Sequence, residues 1–280
     1  MKTTMIPMLI IGGLMTAQTA FATAPLDVSL GLETYEETYR EYEDGRRFMQ
    51  QKGRLYGLNA AAQYHFNDAH SVKLEGRYAK GKIDYTGGEN PSKENPEGTP
   101  YGSVHQKDVP RRAYDVRAVY GYQKPVRSNV TLIGEAGIGH RVLRDLNSRI
   151  DPEDYDRKNE TTYAQIGVEA KVALANGLEI SPKISYNHGI RGRQYSYFGD
   201  DTITLKQHHA KGVEVELPIS RTRGNQHKIS YTPYYRGWRV PVSDTVYRIE
   251  KDEDGDDVTA AYSEPKNYTH EFGVKLQYTF

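Results

Sequence analysis

Apolar and polar side chains alternate along most of the sequence. In residues 52–66, Tyr56, Leu58 and Tyr64 share one parity, whereas Asn59 has the other. A period of two residues is typical of a β-strand with one apolar and one polar face. The pattern recurs over 26–42, 52–66, 71–85, 111–122, 130–144, 161–174, 178–191, 211–219, 227–239 and 264–280. The sequence therefore predicts an all-β chain of ten antiparallel strands.

The connections between these segments alternate between short and long. Short connections are predicted at 67–70, 123–129, 175–177 and 221–226, and long or polar ones at 43–51, 87–110, 145–160 and 249–263. Residues 198–201 read as the tight tip of one long hairpin. Two strands continue to about 199 and 248, further than the ~9–11 residues that cross a bilayer. Short turns at one end and tall hairpins at the other indicate a transmembrane β-barrel with short periplasmic turns and long extracellular hairpins.

The first residues have the composition of a secretory signal peptide. A basic residue, Lys2, precedes a short apolar run and then small residues spaced two apart. We expect cleavage after Ala22, with Ala24 as the alternative, and residues 23–280 as one barrel domain. The apolar run is too short for a membrane anchor, which needs ~20 apolar residues.

The C-terminal segment HEFGVKLQYTF alternates strictly and ends on Phe280. It resembles the last strand of Gram-negative outer-membrane β-barrel proteins. That resemblance covers the signal peptide, the repeated strands and the tail. It implies a location in the outer membrane, contact with lipid and lipopolysaccharide, and recognition of Tyr278 and Phe280 by the barrel-assembly machinery.

Composition separates this barrel from soluble ones. The chain has 280 residues, 37 basic and 37 acidic, so its formal charge is zero and nothing favours nucleic acid as a partner. The mean hydropathy is -0.76. A soluble β-sandwich or lipocalin-like barrel would bury the apolar face, but the other face of these strands carries charges, which do not suit such a core if unpaired.

We therefore expect the charged face to line the interior. A small barrel is nearly filled by its own side chains, and buried charges need partners, so a network that closes the lumen is predicted. Inner-face glycines such as Gly139 and Gly273 favour an open lumen instead, because they leave space inside the barrel. The predicted network comprises Glu75, Arg77, Asp115, Arg117, Glu135, Arg141, Glu169, Lys171, Lys183, Glu214, Arg236, Glu271 and Lys275.

A second set of residues is predicted near the outer strand ends. Basic pairs there suit phosphates of lipopolysaccharide or an acidic glycan, and aromatic residues near the hairpin tip are candidates for recognition. These predicted ligand-binding residues are Arg46, Arg47, Arg111, Arg112, Arg191, Arg193, Tyr195, Tyr197 and Phe198.

Catalytic chemistry finds little support. The ten-stranded layout resembles omptin proteases and the Opc-type adhesin of Neisseria. An omptin needs paired aspartates and an Asp–His pair, and the candidates Asp84, Asp200, Asp201, His208 and His209 lack the required spacing. Ser185 and His188 have opposite parity, which argues against an acyl-hydrolase dyad.

Cofactors are not predicted either. The chain has no cysteine, and the acidic segment 252–257 fails the EF-hand pattern, so a solvated acidic loop is expected rather than a metal site.

Three functions remain open at this stage. The first is a structural or adhesin-like surface protein whose loops bind an extracellular ligand above a closed lumen. The second is a small porin-like channel for small solutes, including anionic ones. The third, an outer-rim hydrolase or protease, is disfavoured, so we expect a protein that is not an enzyme.

Overall fold

The computed structural model describes residues 26–89, 95, 97–223, 227–251 and 255–280. The predicted signal peptide and its cleavage sites lie outside these residues. Parts of three predicted connections, 87–110, 221–226 and 249–263, lie outside them as well, and so does half of the acidic segment 252–257.

Strands make up almost all of the described chain. The strands are β1 (Leu26–Glu43), β2 (Arg46–His65), β3 (His70–Gly87), β4 (Val104–Arg127), β5 (Val130–Asp145), β6 (Asp156–Ala173), β7 (Leu178–Ile180), β8 (Lys183–Phe198), β9 (Asp201–Gln207), β10 (Lys211–Glu216), β11 (Ile219–Arg223), β12 (His227–Val240), β13 (Val246–Lys251), β14 (Asp257–Tyr262) and β15 (Lys266–Thr279). Single 3₁₀ turns occur at Asn147–Arg149 and Ala175–Gly177. No helix in the described residues is long and apolar enough to cross a membrane.

All pairings between strands are antiparallel, and the main sheet closes on itself. Strand β15 pairs with β1, from Ser29 opposite Thr279 to Tyr42 opposite Lys266. Short interruptions divide some of the long strands that cross the barrel wall, and each such long strand is called a stave. Thus β7 and β8 form one stave, and β9, β10 and β11 form the next. With β12 followed by β13, and β14 followed by β15, the barrel has ten staves. The predicted antiparallel ten-stranded barrel is confirmed.

Several predicted loops are strands. The 43–51 connection is a tight turn at Asp44 and Gly45, both with positive φ, flanked by paired residues of β1 and β2. Strands β13 and β14 pair within the predicted 249–263 loop, and β4 continues through 123–127. These stretches carry polar residues on both faces, so the alternation that signals a strand is missing although the backbone pairs normally.

The barrel has two unlike ends. The turn end carries the connections near residues 66–69, 128–129 and 174–177. The hairpin end carries those near 44–45, 88–103, 146–155 and 199–200. The tip at 199–200 joins β8 to β9 as predicted.

A β-bulge changes which residues face inward near the hairpin end. The pairing of β6 with β8 shifts between Thr162 and Tyr163, opposite Gly189 and Arg191. Beyond this bulge, Gln194 is buried inside the barrel. The residues that alternate with it, including Tyr195, therefore face outward.

The outside of the barrel has an apolar band and a basic ring beyond it. In β2 the band runs from Tyr56 to Tyr64, nine residues, with Leu58 51% exposed. This length matches a strand that spans a bilayer, and aromatic residues at both edges match the membrane–water boundary. A ring of outward-facing basic residues lies next to the apolar band on the side of the hairpin end. This ring, the basic collar, consists of Arg40, Lys52, Arg54, Lys80, Lys82, Arg112, Arg144, Lys158, Arg193, Lys211 and Arg239.

Candidate functional site

Charged side chains cross the interior at the level of the apolar band. Arg77 lies between two carboxylates: its Nε is 2.9 Å from Glu33 Oε1, and its Nη1 is 2.7 Å from Glu271 Oε2. Each partner comes from a different strand, β3, β1 and β15, so these ion pairs join separate parts of the wall across the lumen.

A second arginine, on the strand next to that of Arg77, also connects separate strands. Arg117 on β4 contacts Glu75, and its Nη1 is 2.9 Å from Glu214 Oε2. Glu214 also accepts a hydrogen bond from Arg236 Nε at 3.2 Å. Lys275 Nζ lies 2.9 Å from Glu216. Carboxylates and guanidinium groups thus share partners instead of forming isolated pairs.

The remaining predicted lumen residues lie in the same interior. Lys183 Nζ is 2.5 Å from Glu135, and Asp115 accepts a hydrogen bond from the hydroxyl of Tyr163 at 3.0 Å. Arg141 stacks on Trp238 at 4.7 Å. The central network is defined here as seven acids and seven bases: Glu33, Glu75, Asp115, Glu135, Glu214, Glu216, Glu271, Lys73, Arg77, Arg117, Arg141, Lys183, Arg236 and Lys275.

Two predicted members lie at the turn-end edge of this network. Glu169 and Lys171 are half-buried and line a cavity of about 210 Å³ that opens at the turn end. Cavities within the central network are much smaller, about 10 Å³ and 30 Å³. A single water occupies roughly 10–15 Å³ by a comparable measure, so these spaces are of water size.

Inner-face glycines make room for aromatic rings. A Cβ on Gly139 would lie 2.3 Å from the ring of Tyr163, and one on Gly273 would lie 2.7 Å from Tyr234. Both tyrosines are buried. The space freed by these glycines is therefore filled by tyrosine rings rather than left to an open lumen.

Above the central network lies a second group of buried charges, named here the floor network: Glu37, Glu41, Asp145, Glu264, Arg111 and Arg157. It lies beyond the apolar band, since Arg111 adjoins Arg112 of the basic collar.

Two arginines hold the floor network together. Arg111 Nε donates to Glu37 at 2.8 Å, and its Nη1 contacts Asp145. Arg157 Nη1 donates to Glu41 at 2.8 Å and lies 3.9 Å from Glu264.

The predicted exposed position of Arg111 is wrong. Its side chain is 2% exposed and belongs to the floor network. Arg111 shares the parity of Ala113 and Asp115, which face inward, so the alternation along β4 already contained this information. Basic neighbours at 111 and 112 suggested a pair, but adjacent residues of a strand point to opposite faces.

Over the floor network the barrel opens into a cup of about 1050 Å³ at the hairpin end. Aromatic and aliphatic side chains form much of its wall, among them Tyr85, Tyr155 and Phe198. The rings of Tyr155 and Phe198 stack with centroids 4.4 Å apart. Burial raises the pKa of Tyr155 to about 12, so this ring keeps its hydroxyl proton.

Acidic groups dominate the charge of the cup. Six acids line it, Glu41, Glu43, Asp151, Glu153, Asp154 and Glu264, against Arg157 and His105. At the bottom, the hydroxyl of Tyr39 donates to Glu41 at 2.8 Å and to Glu264 at 3.2 Å. Burial and the neighbouring Glu41 raise the pKa of Glu264 well above its usual range, although Arg157 opposes this shift.

The other predicted ligand-binding residues do not form one common site. Arg46 and Arg47 are exposed at the β1–β2 turn, where Arg47 stacks on Tyr101 at 4.2 Å. Arg112 faces outward in the basic collar, and Arg191 is exposed at the β8 bulge. Phe198 alone of the predicted set lines the cup.

Tyr195, Tyr197 and Arg193 form a cluster on the outer wall. The two tyrosine rings stack at 6.3 Å, and Lys158 Nζ lies 3.9 Å above the ring of Tyr195. Tyr195 donates a hydrogen bond to Glu160 at 2.8 Å. This cluster belongs with the basic collar, not with the cup.

The predicted catalytic candidates do not assemble into a catalytic set in the described residues. His208 lies 3.6 Å from Asp244, with both side chains more than half exposed. Asp201 pairs with Arg248, and Asp84 accepts the backbone N–H of Asp108. Ser185 is buried inside while His188 is exposed, as their parity predicts. The described residues contain no cluster of acidic, histidine or cysteine side chains suited to a metal ion.

The profile of the outer membrane protein beta-barrel domain family matches residues 7–211. The chain belongs to this family. Family membership places it in the outer membrane of a Gram-negative bacterium, and the closed ten-stranded barrel agrees with that location. No curated protein matches the chain by sequence.

Among solved structures, the chain is similar to the outer membrane protease OmpT from Escherichia coli, with a TM-score of 0.62 at 12% identity, covering 91% of this chain and 96% of OmpT. This likeness concerns the fold. The translocator domain of the autotransporter NalP from Neisseria meningitidis has a TM-score of 0.41 at 12% identity, covering 95% of this chain and 94% of the NalP chain. The toluene transporter TodX of Pseudomonas putida has a TM-score of 0.33 at 8% identity, covering 94% of this chain and 91% of the TodX chain.

In the last strand, Tyr278 faces outward, and its ring meets that of Phe280 edge-on at 4.9 Å. Both side chains are thus at the lipid-facing edge of the turn end, and their role in assembly stays a prediction.

Proposed function

We propose that this protein is a surface ligand-binding barrel: its lumen is closed by the central network, and it binds an extracellular ligand in the cup. The hairpin end is the extracellular end in this proposal, since barrels of this kind carry their long connections outside the cell. The observation that carries the proposal is the combination of a wide cup with a charge-filled interior beneath it.

Closure of the lumen rests on ion pairs that span it. Arg77 and Arg236 each reach carboxylates on other strands, and Glu271 lies between them at 2.7 Å and 3.8 Å. Opening a passage would require separating such pairs inside a poorly solvated interior. Breaking a buried pair typically costs about 3–5 kcal/mol, so thermal fluctuations open this network rarely.

A channel is the second candidate, because cavities approach the central network from both ends. The cup of about 1050 Å³ and the turn-end cavity of about 210 Å³ lie at opposite ends of the central network, which is the barrier between them. The balanced charge of that barrier favours neither cations nor anions, whereas selective pores have a lining of one sign. An enzyme ranks below both, since the described residues hold no catalytic set.

Conductance separates these candidates. The refolded protein in a planar bilayer at high salt is expected to stay silent. The double variant Arg77→Ala and Arg236→Ala is expected to open, while the outward-facing Arg239→Ala stays silent. Heat-dependent migration on gels checks folding in each case. Steady, reproducible openings of the wild-type protein would overturn the closed lumen and favour the channel.

A further inference from the structure

We propose that the cup selects a small organic cation with an apolar body, whose guanidinium or ammonium group binds the carboxyl groups of Glu41 and Glu264 from the side of the cup. This inference rests on the proposed function, because it names the ligand class of the same cup. Four observations carry it: the charge balance of the two networks, an unpartnered acceptor, the sign of the cup wall, and its aromatic surface.

The first observation is a difference in charge balance between the two networks. The central network has seven acids and seven bases. The floor network has four acids, Glu37, Glu41, Asp145 and Glu264, but two bases, Arg111 and Arg157, so it carries two uncompensated carboxylates when all six groups are ionised. Buried charge without a counter-charge is costly. Protons reduce that cost in the free protein, and a cation from the cup can do so in the complex.

The geometry places this excess where a ligand can reach it. Both Glu41 and Glu264 line the cup, and the same hydroxyl, that of Tyr39, bridges them. Arg157 binds Glu41 closely, at 2.8 Å, and stays 3.9 Å from Glu264. Glu264 is therefore the carboxylate further from Arg157, and it lines the cup.

The second observation is a buried acceptor that has no partner. Asn147 is 6% exposed and lines the cup, and its side-chain oxygen accepts no hydrogen bond among the described residues. An unpaired buried acceptor costs about 1–3 kcal/mol. A ligand with several N–H donors would satisfy this oxygen, whereas an anion would instead pair with the buried Nε of Arg157, which also lacks a partner among the described residues.

The wall of the cup also favours a cation with an apolar body over an anion. Six acids against one arginine and one histidine repel anions and attract cations towards the floor. The stacked rings of Tyr155 and Phe198 offer a surface for an apolar body, and aromatic faces also attract cations. A bare metal ion fits less well, since the described residues form no metal-binding group.

The test compares two probes of similar shape and opposite charge, phenethylguanidinium and 3-phenylpropionate. Each is titrated by calorimetry into the folded protein in detergent micelles. Phenethylguanidinium is expected to bind and 3-phenylpropionate is not. Guanidinium chloride alone is expected to bind at least tenfold more weakly, because it lacks the apolar body. Equal heats for the cation and the anion would overturn the inference.

Variants locate the site. Glu264→Gln and Glu41→Gln are each expected to weaken binding about 10- to 100-fold, the usual range for hydrogen bonds to a charged group. The matched control is Glu36→Gln, on the same strand as Glu41 but facing outward against Lys52. If Glu41→Gln does not fold, Glu264→Gln and Asn147→Ala carry the comparison. Binding unchanged by all of the cup variants, or weakened equally by Glu36→Gln, would refute the assignment.

Failure here is distinguishable from failure of the proposed function. A silent bilayer without cation binding would leave the closed barrel standing and reject this ligand class. A conducting bilayer would reject the closed lumen whatever the calorimetry shows.

Discussion

Replacing Arg111 with methionine tests whether the floor network stabilises the barrel. The side chain is 2% exposed and contacts Glu37 and Asp145, and its Nη1 donates to Gln51 at 3.2 Å. Methionine approximates the length of the arginine side chain but carries no charge. The substitution would leave four buried carboxylates with Arg157 as their single buried base among the described residues.

The expected loss follows from that imbalance. Removing one partner of a buried ion pair typically costs about 3–5 kcal/mol, because the remaining charge is left without compensation. We expect a loss of unfolding free energy in this range at neutral pH. The double variant Arg111→Met and Glu37→Gln should recover part of it, since one of the orphaned carboxylates is then neutral.

Urea unfolding of the protein in lipid vesicles provides the assay. Trp238 is the single tryptophan of the chain and is 3% exposed, so its fluorescence reports opening of the interior. The control is Arg112→Met, the next residue along β4, which faces outward in the basic collar. Exposed charges contribute about 0–1 kcal/mol. A loss below about 1 kcal/mol for Arg111→Met, indistinguishable from Arg112→Met, would refute the reasoning.

Three further predictions concern other parts of the barrel. The pKa of Glu264 is raised in the folded state, so the unfolded state loses this proton at a lower pH than the folded state does. The free energy of unfolding therefore falls as pH rises from the usual glutamate range towards the folded-state pKa. Urea titrations across that window should therefore show wild type losing stability relative to Glu264→Gln, and parallel pH profiles would contradict this. Gly139→Ala places a Cβ 2.3 Å from the ring of Tyr163 and should cost about 1–3 kcal/mol of unfolding free energy, whereas Gly134→Ala, with nothing within 4 Å, should not. Deleting Phe280 should lower the heat-modifiable, folded fraction recovered from outer membranes without changing total synthesis, and an unchanged fraction would count against an assembly role.

Sequence reasoning succeeded where one face of a strand meets lipid. There the outward residues must be apolar, so parity alone assigned Arg117, Glu135 and Glu214 to the interior. It failed beyond the apolar band, where the outward residues become polar and both faces look alike. That is why β1 and β2 continue unnoticed through 43–51.

Parity also fails at irregularities of the backbone. The bulge at Gly189–Arg191 inserts an extra residue, so Tyr195 and Tyr197 face outward instead of lining a site. Nothing in the local sequence fixes such a bulge, because it depends on the register with β6.

The sequence did not predict the cup, for a different reason. Its floor joins Glu41 from the end of β1, Arg157 from the start of β6 and Glu264 from the link before β15. These residues are more than a hundred positions apart and meet because the sheet closes. One signal was available: Glu33, Glu37 and Glu41 recur every four residues on the inner parity of β1, which predicts an acidic stripe along the lumen.

That acidic stripe also explains how one interior can serve two purposes. Its lower member, Glu33, is matched by Arg77 from β3, so the interior at the level of the membrane is neutral and tightly paired. Its upper member, Glu41, shares Arg157 with two other carboxylates and keeps an excess of negative charge. A balanced network gains nothing from an added ion, whereas an unbalanced one gains by binding one. In the proposed function, closure and ligand binding therefore depend on different residues, and substitutions at Arg77 and Glu264 should change conductance and cation affinity independently.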